Sequence, residues 1–152
     1  MIADRILELL DGLPHRVIEH PPIRGADDAA ALRGTPLEIG GKSLLLKVGD
    51  RWVVLVLSGA RRLHNPSLRR ALRANRYRFA TREELREVTG LGPGCVPPFG
   101  RPIFDADLVV DEATTQNDEI AFSLADPTRS VVMATSDWLA VARPDLVAPI
   151  GR

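Results

Sequence analysis

The chain has 152 residues, the length of one ordinary domain, and 45% of them are apolar, which is enough for a real core. Lys plus Arg and Asp plus Glu each total 20, so the formal net charge is zero. No whole-molecule attraction to nucleic acid or a membrane surface follows, and neither DNA nor membrane is expected as a partner. One cysteine, Cys95, excludes a disulfide framework.

The N-terminus opens directly into an amphipathic pattern, with Ile6, Leu7, Leu9 and Leu10 among Asp4, Arg5 and Glu8, and lacks the apolar run of a signal peptide. The longest purely aliphatic run, 53–57, is far short of the ~20 residues that span a bilayer. A cytoplasmic protein is therefore expected. After this first helix, His15 to His20 reads as a strand stopped by Pro21-Pro22. Asp27 and Asp28 then open an alanine-rich helix that Gly34 closes. Thr35-Pro36-Leu37-Glu38 reads as a cap, a first-turn proline and a brief turn.

Residues 42–48 and 51–58 are strand candidates separated by Gly49-Asp50, a hairpin signature. By the period of two, Lys42, Leu44, Leu46 and Val48 share one face, and Ser43, Leu45 and Lys47 the other. Lys42 and Lys47 are the only lysines. Lys47 can face solvent, whereas Lys42 begins a leucine face. There its ammonium either snorkels to water at the strand end or meets an anionic or polar group. Asn65 and Pro66 suit a helix start, with Leu68, Ala71 and Leu72 inward and Arg69, Arg70 and Arg73 outward. Arg76 to Phe79 alternates as a short strand, and Thr81 to Glu84 fits a capping box for a helix reaching Val88. Later apolar segments are 102–104, 108–110, 119–123 and 129–133, and a last helix, capped by Ser136, runs through Trp138 and Val141 to Pro144. With no regular βαβ repeat, the class is α+β, built on a mixed, strongly twisted sheet.

Two features stand outside this framework. From Arg51 to Arg82 there are nine arginines and no acidic residue, so a neutral chain carries one basic segment. It serves either as a solvated helix face or as a local polyanion contact. The second is the stretch 89–100, in which four of twelve residues are Gly and three are Pro. Such a segment is a stiff loop with bare backbone, equally suited to connecting two elements and to close approach by a ligand. No P-loop, GxSxG or HExxH occurs. The three histidines, His15, His20 and His64, show no metal-ligand spacing with Cys95, and no metal or cofactor is expected. No nucleophile–base pair is legible, so catalysis, if any, would rest on positioning and backbone donors.

Several segments in order resemble the YbaK/prolyl-tRNA synthetase-associated domain, a family of aminoacyl-tRNA editing enzymes. They are Glu19-His20-Pro21-Pro22, Ala29-Ala30, Gly41-Lys42-Ser43-Leu44, the run from Leu57 to Leu63, and Thr89-Gly90 leading to Gly94-Cys95-Val96-Pro97-Pro98-Phe99-Gly100. The span Gly94 to Pro98 has the family's GxxxP spacing. The likeness covers nearly the whole chain, so residues 1–152 are expected to form a single editing domain with a partly barrel-like sheet flanked by helices.

The resemblance implies a trans-acting deacylase that hydrolyses the ester of a mischarged tRNA, for proline or another tRNA bearing a small wrong amino acid. The alternative is a non-catalytic tRNA- or nucleotide-binding module of the same fold. Lys42, Gly94 and Pro98 take the catalytic positions, with backbone N–H groups of Gly94 to Pro98 meeting the developing oxyanion. His20, Ile23, Ser43, Leu44, Ser58, Cys95, Val96, Pro97 and Ser123 take substrate-binding positions. Arg61, Arg62, Arg69, Arg70 and Arg73 are candidate tRNA-phosphate contacts. Mischarged tRNA is the implied partner, with an aminoacyl-tRNA synthetase as a candidate second one. The chain departs from the family pattern at Leu124-Ala125-Asp126-Pro127, where Gly is frequent, at Cys95 (often Gly) and at Pro97 (often Ser). Ser43 stands where the alanine-editing branch usually has Asn.

Overall fold

A computed structural model describes residues 1–152. Helix α1 (Ile2–Leu9) buries Ile6 and is followed by strand β1 (His15–Glu19). Helix α2 (Ala26–Arg33) ends at Gly34, whose left-handed backbone (φ 70°) closes the last turn. A single 3-10 turn, Leu37–Ile39, leads into the hairpin of β2 (Gly41–Val48) and β3 (Arg51–Ser58). Its extended N-terminal flank is Pro36, so Thr35 is not the cap expected.

Helix α3 (Asn65–Leu72) is flanked by His64, not by Asn65. The His64 ring meets Ser67 Oγ at 2.6 Å, while Asn65 Oδ1 accepts from the Tyr77 hydroxyl and so is drawn away from the helix end. Strand β4 (Arg78–Phe79) is short. Helix α4 (Arg82–Thr89) has the capping box read from Thr81 and Glu84: each side chain takes the other's backbone N–H, at 3.1 and 3.0 Å. Then come β5 (Asp107–Asp111), a 3-10 stretch (Glu112–Gln116), β6 (Glu119–Ser123), β7 (Arg129–Ala134), α5 (Thr135–Ala142) and β8 (Leu146–Ala148). Ala134, not Ser136, flanks α5, and β8 has no counterpart in the sequence reading because three half-exposed residues carry too little pattern.

The strands form two sheets. One is antiparallel, in the order β1-β7-β6, and the other is mixed, in the order β4-β2-β3-β5-β8. The single, partly barrel-like sheet is thereby corrected. The only ladder contact joining the two sheets is an isolated bridge between Gly40 and Ala121, too little pairing to close a barrel. Between the sheets lies the larger core, where Val54 and Val56 of β3 and Leu108 and Val110 of β5 meet Ile120, Phe122, Val131 and Met133, with Phe99, Trp138 and Ile6. The other face of the mixed sheet is covered by α3, whose Leu68 and Leu72 pack on Leu46, Val53, Leu55 and Leu57. Burial on both faces explains why 53–57 is continuously apolar rather than alternating.

Candidate active site

β4 pairs with β2 only at Leu46 and Lys47, so the first half of β2 is a free edge. The Ala80 N–H donates to Leu45 O at 2.9 Å across that edge. By the alternation of an antiparallel strand, Ser43, two residues earlier, turns its own backbone N–H and C=O to the same side. There α2, the start of β2 and the 93–96 bend enclose a cavity of about 320 Å³, at the lower end of the roughly 300–1,000 Å³ typical of ligand pockets. Gly59 belongs to its wall for a steric reason: a Cβ there would stand 2.8 Å from the Leu37 carbonyl oxygen, a backbone atom that cannot yield.

Lys42, Ser43 and Leu44 all line this cavity, as do Ile23, Gly94, Val96 and Ser123. Lys42 makes no ion pair within 4.0 Å. Two more cations, Arg24 and Arg33, share the wall with it, and no Asp, Glu or His does. The free edge lets residues from both faces of β2, Lys42 and Ser43, reach one space. Ser43 Oγ is buried and has no hydrogen-bond partner.

Gly94 takes a left-handed backbone (φ 80°) and turns the bend back toward β2. Within 94–98, prolines 97 and 98 have no N–H to offer. The Cys95 N–H donates to Gly92 O at 3.2 Å. The N–H groups of Gly94 and Val96 have no protein acceptor and are the bend's two available donors. Pro98 serves the bend from behind: its carbonyl accepts the indole N–H of buried Trp138 at 2.9 Å, and the Pro97 carbonyl accepts from Phe99.

Several expected site residues lie outside the cavity wall. Pro97 and Pro98 are buried in the core side of the bend, and Cys95 does not reach the cavity. Burial, then the nearby Asp126 carboxylate, pushes the Cys95 thiol up, so it stays protonated at neutral pH. Ser58 is almost fully buried, donates to Glu38 O at 2.7 Å and accepts from the Ala60 N–H at 3.2 Å, which ties down the β3 exit. His20 meets Ser130 Oγ at 2.7 Å and the Pro21 carbonyl at 2.9 Å, so both ring nitrogens are occupied outside the cavity. Of the basic segment, Arg62, Arg69, Arg70 and Arg73 are exposed. Arg61 is not free: its Nε stands 3.3 Å from Asp111 Oδ2, and an Nη donates to Gly151 O at 3.1 Å, binding the C-terminal residues to the sheet.

The sequence reading missed Arg24, Arg33 and Ala26, and named Ala29-Ala30 for the resemblance alone, not as the small residues of α2 that leave room beside the arginines. The only signal was an arginine at the end of an alanine-rich helix. A second hollow of about 240 Å³ adjoins the cavity, shares Ser43, Leu44, Gly94 and Val96 with it, and adds half-exposed Phe79 and Arg82. No group of three or more His, Cys, Asp or Glu is placed to hold a metal ion.

Residues 20–141 match the family described as the aminoacyl-tRNA editing domain. The chain is 31% identical over 151 residues, 94% of its length and 89% of the relative's, to the multifunctional Ser/Thr-tRNA deacylase ProXp-y of Escherichia coli K12. It is 27% identical over 135 residues to the proline–tRNA ligase of Thiobacillus denitrificans, matching 23% of that longer protein. A solved structure described as a candidate trans-editing enzyme for prolyl tRNA synthetase superposes with a TM-score of 0.84 at 26% identity, covering 99% of this chain and 97% of that one. With a lysine-bearing strand edge facing a glycine bend, and with matches of this extent in both sequence and fold, the chain belongs to the aminoacyl-tRNA editing domain family.

Proposed function

We propose that this chain is a trans-acting deacylase that cleaves the ester between a wrongly attached amino acid and the 3′ end of a tRNA. The observation that supports the reading is that Lys42 and the 94–96 bend, with two N–H groups free of protein acceptors, line one cavity. A water oxygen adds to the ester carbonyl carbon, and the carbonyl electron pair moves onto oxygen, where the N–H groups of Gly94 and Val96 stabilise it. The tetrahedral intermediate then collapses. The bond to the ribose oxygen breaks, that oxygen takes up a proton, and free amino acid and intact tRNA leave. The wall holds no carboxylate or imidazole, so the proton of the attacking water passes to the substrate itself, either to its neutral α-amine or through the neighbouring ribose hydroxyl, which gives its own proton to the departing ribose oxygen. The Lys42 ammonium holds the polar aminoacyl–ribose junction in place. The adjoining hollow beside Phe79 and Arg82 takes the terminal nucleotide, and the exposed arginines of α3 (Arg69, Arg70, Arg73) contact phosphates farther along the acceptor stem.

The substrates proposed are tRNAs bearing serine or threonine, in keeping with the E. coli relative, and an aminoacyl-tRNA synthetase is the proposed partner that supplies them. The test is a panel of tRNAs charged with serine, threonine, alanine and proline. Release of serine or threonine faster than the uncatalysed rate supports the reading, whereas tight tRNA binding with no release of any amino acid replaces it with a non-catalytic binding module.

A further inference from the structure

Arg33 is the least expected group in the cavity. Its Nε donates to Ser130 Oγ at 2.8 Å and its Nη2 approaches Ser123 Oγ at 3.4 Å. Ser130 is fully buried and Ser123 nearly so. No carboxylate stands within 4.0 Å of the guanidinium, and burial pulls it down to about 10, still charged at neutral pH. Two neutral hydroxyls compensate a desolvated cation poorly, and three of its five N–H donors have no protein acceptor. Gly40 keeps the space beside Nη1 open: a Cβ there would lie 3.7 Å from that atom. Ser43 lines the same wall, but its Oγ is sealed from the cavity. The cavity thus presents to its occupant a charged fork of free donors, those of the half-buried guanidinium. An oxygen-bearing side chain satisfies them, and a methyl group leaves them desolvated and unpaired.

Resting on the deacylase reading, we propose that Arg33 is the specificity-determining residue: it donates hydrogen bonds to the side-chain oxygen of the aminoacyl group and so selects serine and threonine over alanine. A site built around a substrate oxygen rejects the analogue lacking it far more strongly than an apolar pocket rejects an extra methylene. The rim cation Arg24 is exposed and lies outside this role.

The test measures kcat/KM for Ser-tRNA and Ala-tRNA with wild type, Arg33→Met and Arg33→Lys. Calorimetric binding of 3′-seryl- and 3′-alanyl-amino-3′-deoxyadenosine, which cannot be hydrolysed, accompanies it. Arg33→Met is expected to reduce the Ser/Ala ratio by about 30-fold or more, the loss of one charge-assisted hydrogen bond. Arg33→Lys recovers part of the ratio, since it restores the charge but not the fork of donors. Equal loss on both substrates would show that Arg33 holds the part they share and would overturn the proposal, as would an unchanged ratio. If Arg33→Met does not fold, Arg33→Lys and the wild-type preference for the seryl analogue decide. Should the wild type hydrolyse neither tRNA, the deacylase reading fails. The binding preference and its loss in Arg33→Met then still uphold or overturn the assignment of Arg33.

Discussion

Replacing Lys42 with Met preserves the length and apolar stem of the side chain and removes only the ammonium. In the fold that ammonium has no carboxylate within 4.0 Å and no hydrogen bond to another residue, so folding loses almost nothing with it. The change in stability should stay within about 0.5 kcal/mol, the range of surface substitutions away from special features. Substrate turnover should respond differently. A unit charge about 4 Å from an opposite one is worth roughly 4 kcal/mol at the effective dielectric of a protein surface, which sets a ceiling. Lys42 is only half-buried, and its group on the substrate is polar rather than fully charged, so a charge-assisted hydrogen bond of roughly 1.5–3 kcal/mol is the better measure. At about 1.4 kcal/mol per factor of ten, kcat/KM falls roughly 10- to 150-fold. The assay is single-turnover release of radiolabelled serine from Ser-tRNA, alongside a thermal melt. A well-folded Lys42→Met protein whose kcat/KM stays within about threefold of wild type would refute the placing of that cation against the substrate.

Four other outcomes follow from the same geometry. Ser58→Ala should lower stability by about 1–2 kcal/mol, since it removes a buried hydroxyl bridging Glu38 O and the Ala60 N–H, while kcat is unchanged; denaturant melts and turnover read the two separately. Cys95→Ser should retain full activity, because the thiol is protonated and lies off the cavity; a loss above tenfold would reinstate it as a participant. Ala125 holds a left-handed backbone (φ 57°) in the turn after β6, where the family often has Gly. Ala125→Gly should therefore stabilise the fold by about 0.5–1 kcal/mol, the relief of that conformation less the added freedom of the unfolded chain, and an unchanged or lower melting temperature would contradict this.

The fourth concerns acid. The Arg78 guanidinium, then the Thr81 N–H, hold the Glu84 carboxyl down to about 2. A carboxyl depressed in the fold contributes stability above its unfolded value near 4.3 and loses it as pH falls from there toward 2. The melting-temperature advantage of wild type over Glu84→Gln should thus shrink across that window. An advantage that is constant from pH 6 to pH 2 would show that the capping box does not depend on the charge.

Local chemistry in the sequence was enough for the hairpin, the capping box of Thr81 and Glu84 and the Gly34 helix stop, because each depends on residues a few positions apart. Helix starts were less legible: His64 and Ala134, not Asn65 and Ser136, flank α3 and α5, because Asn65 is engaged by Tyr77, twelve residues on. The order of motifs was also enough to pick out Lys42 and Gly94 as one constellation. It could not separate Gly94 and Val96, which line the cavity, from half-buried Cys95, which lies off it, or from Pro97 and Pro98, which are buried behind it, because that depends on where Trp138 reaches the bend. Nor could it find Arg33. In the chain Arg33 is one arginine among eighteen, and its distinction is to be held by Ser123 and Ser130, about ninety residues away, with no acid near it. Composition, patterning and short-range capping determine which elements form. Which side chains share one cavity, and which charge is left unpaired inside it, is decided only when two sheets and α2 pack together, since burial and the absence of a partner are properties of the assembled neighbourhood and not of any segment within it.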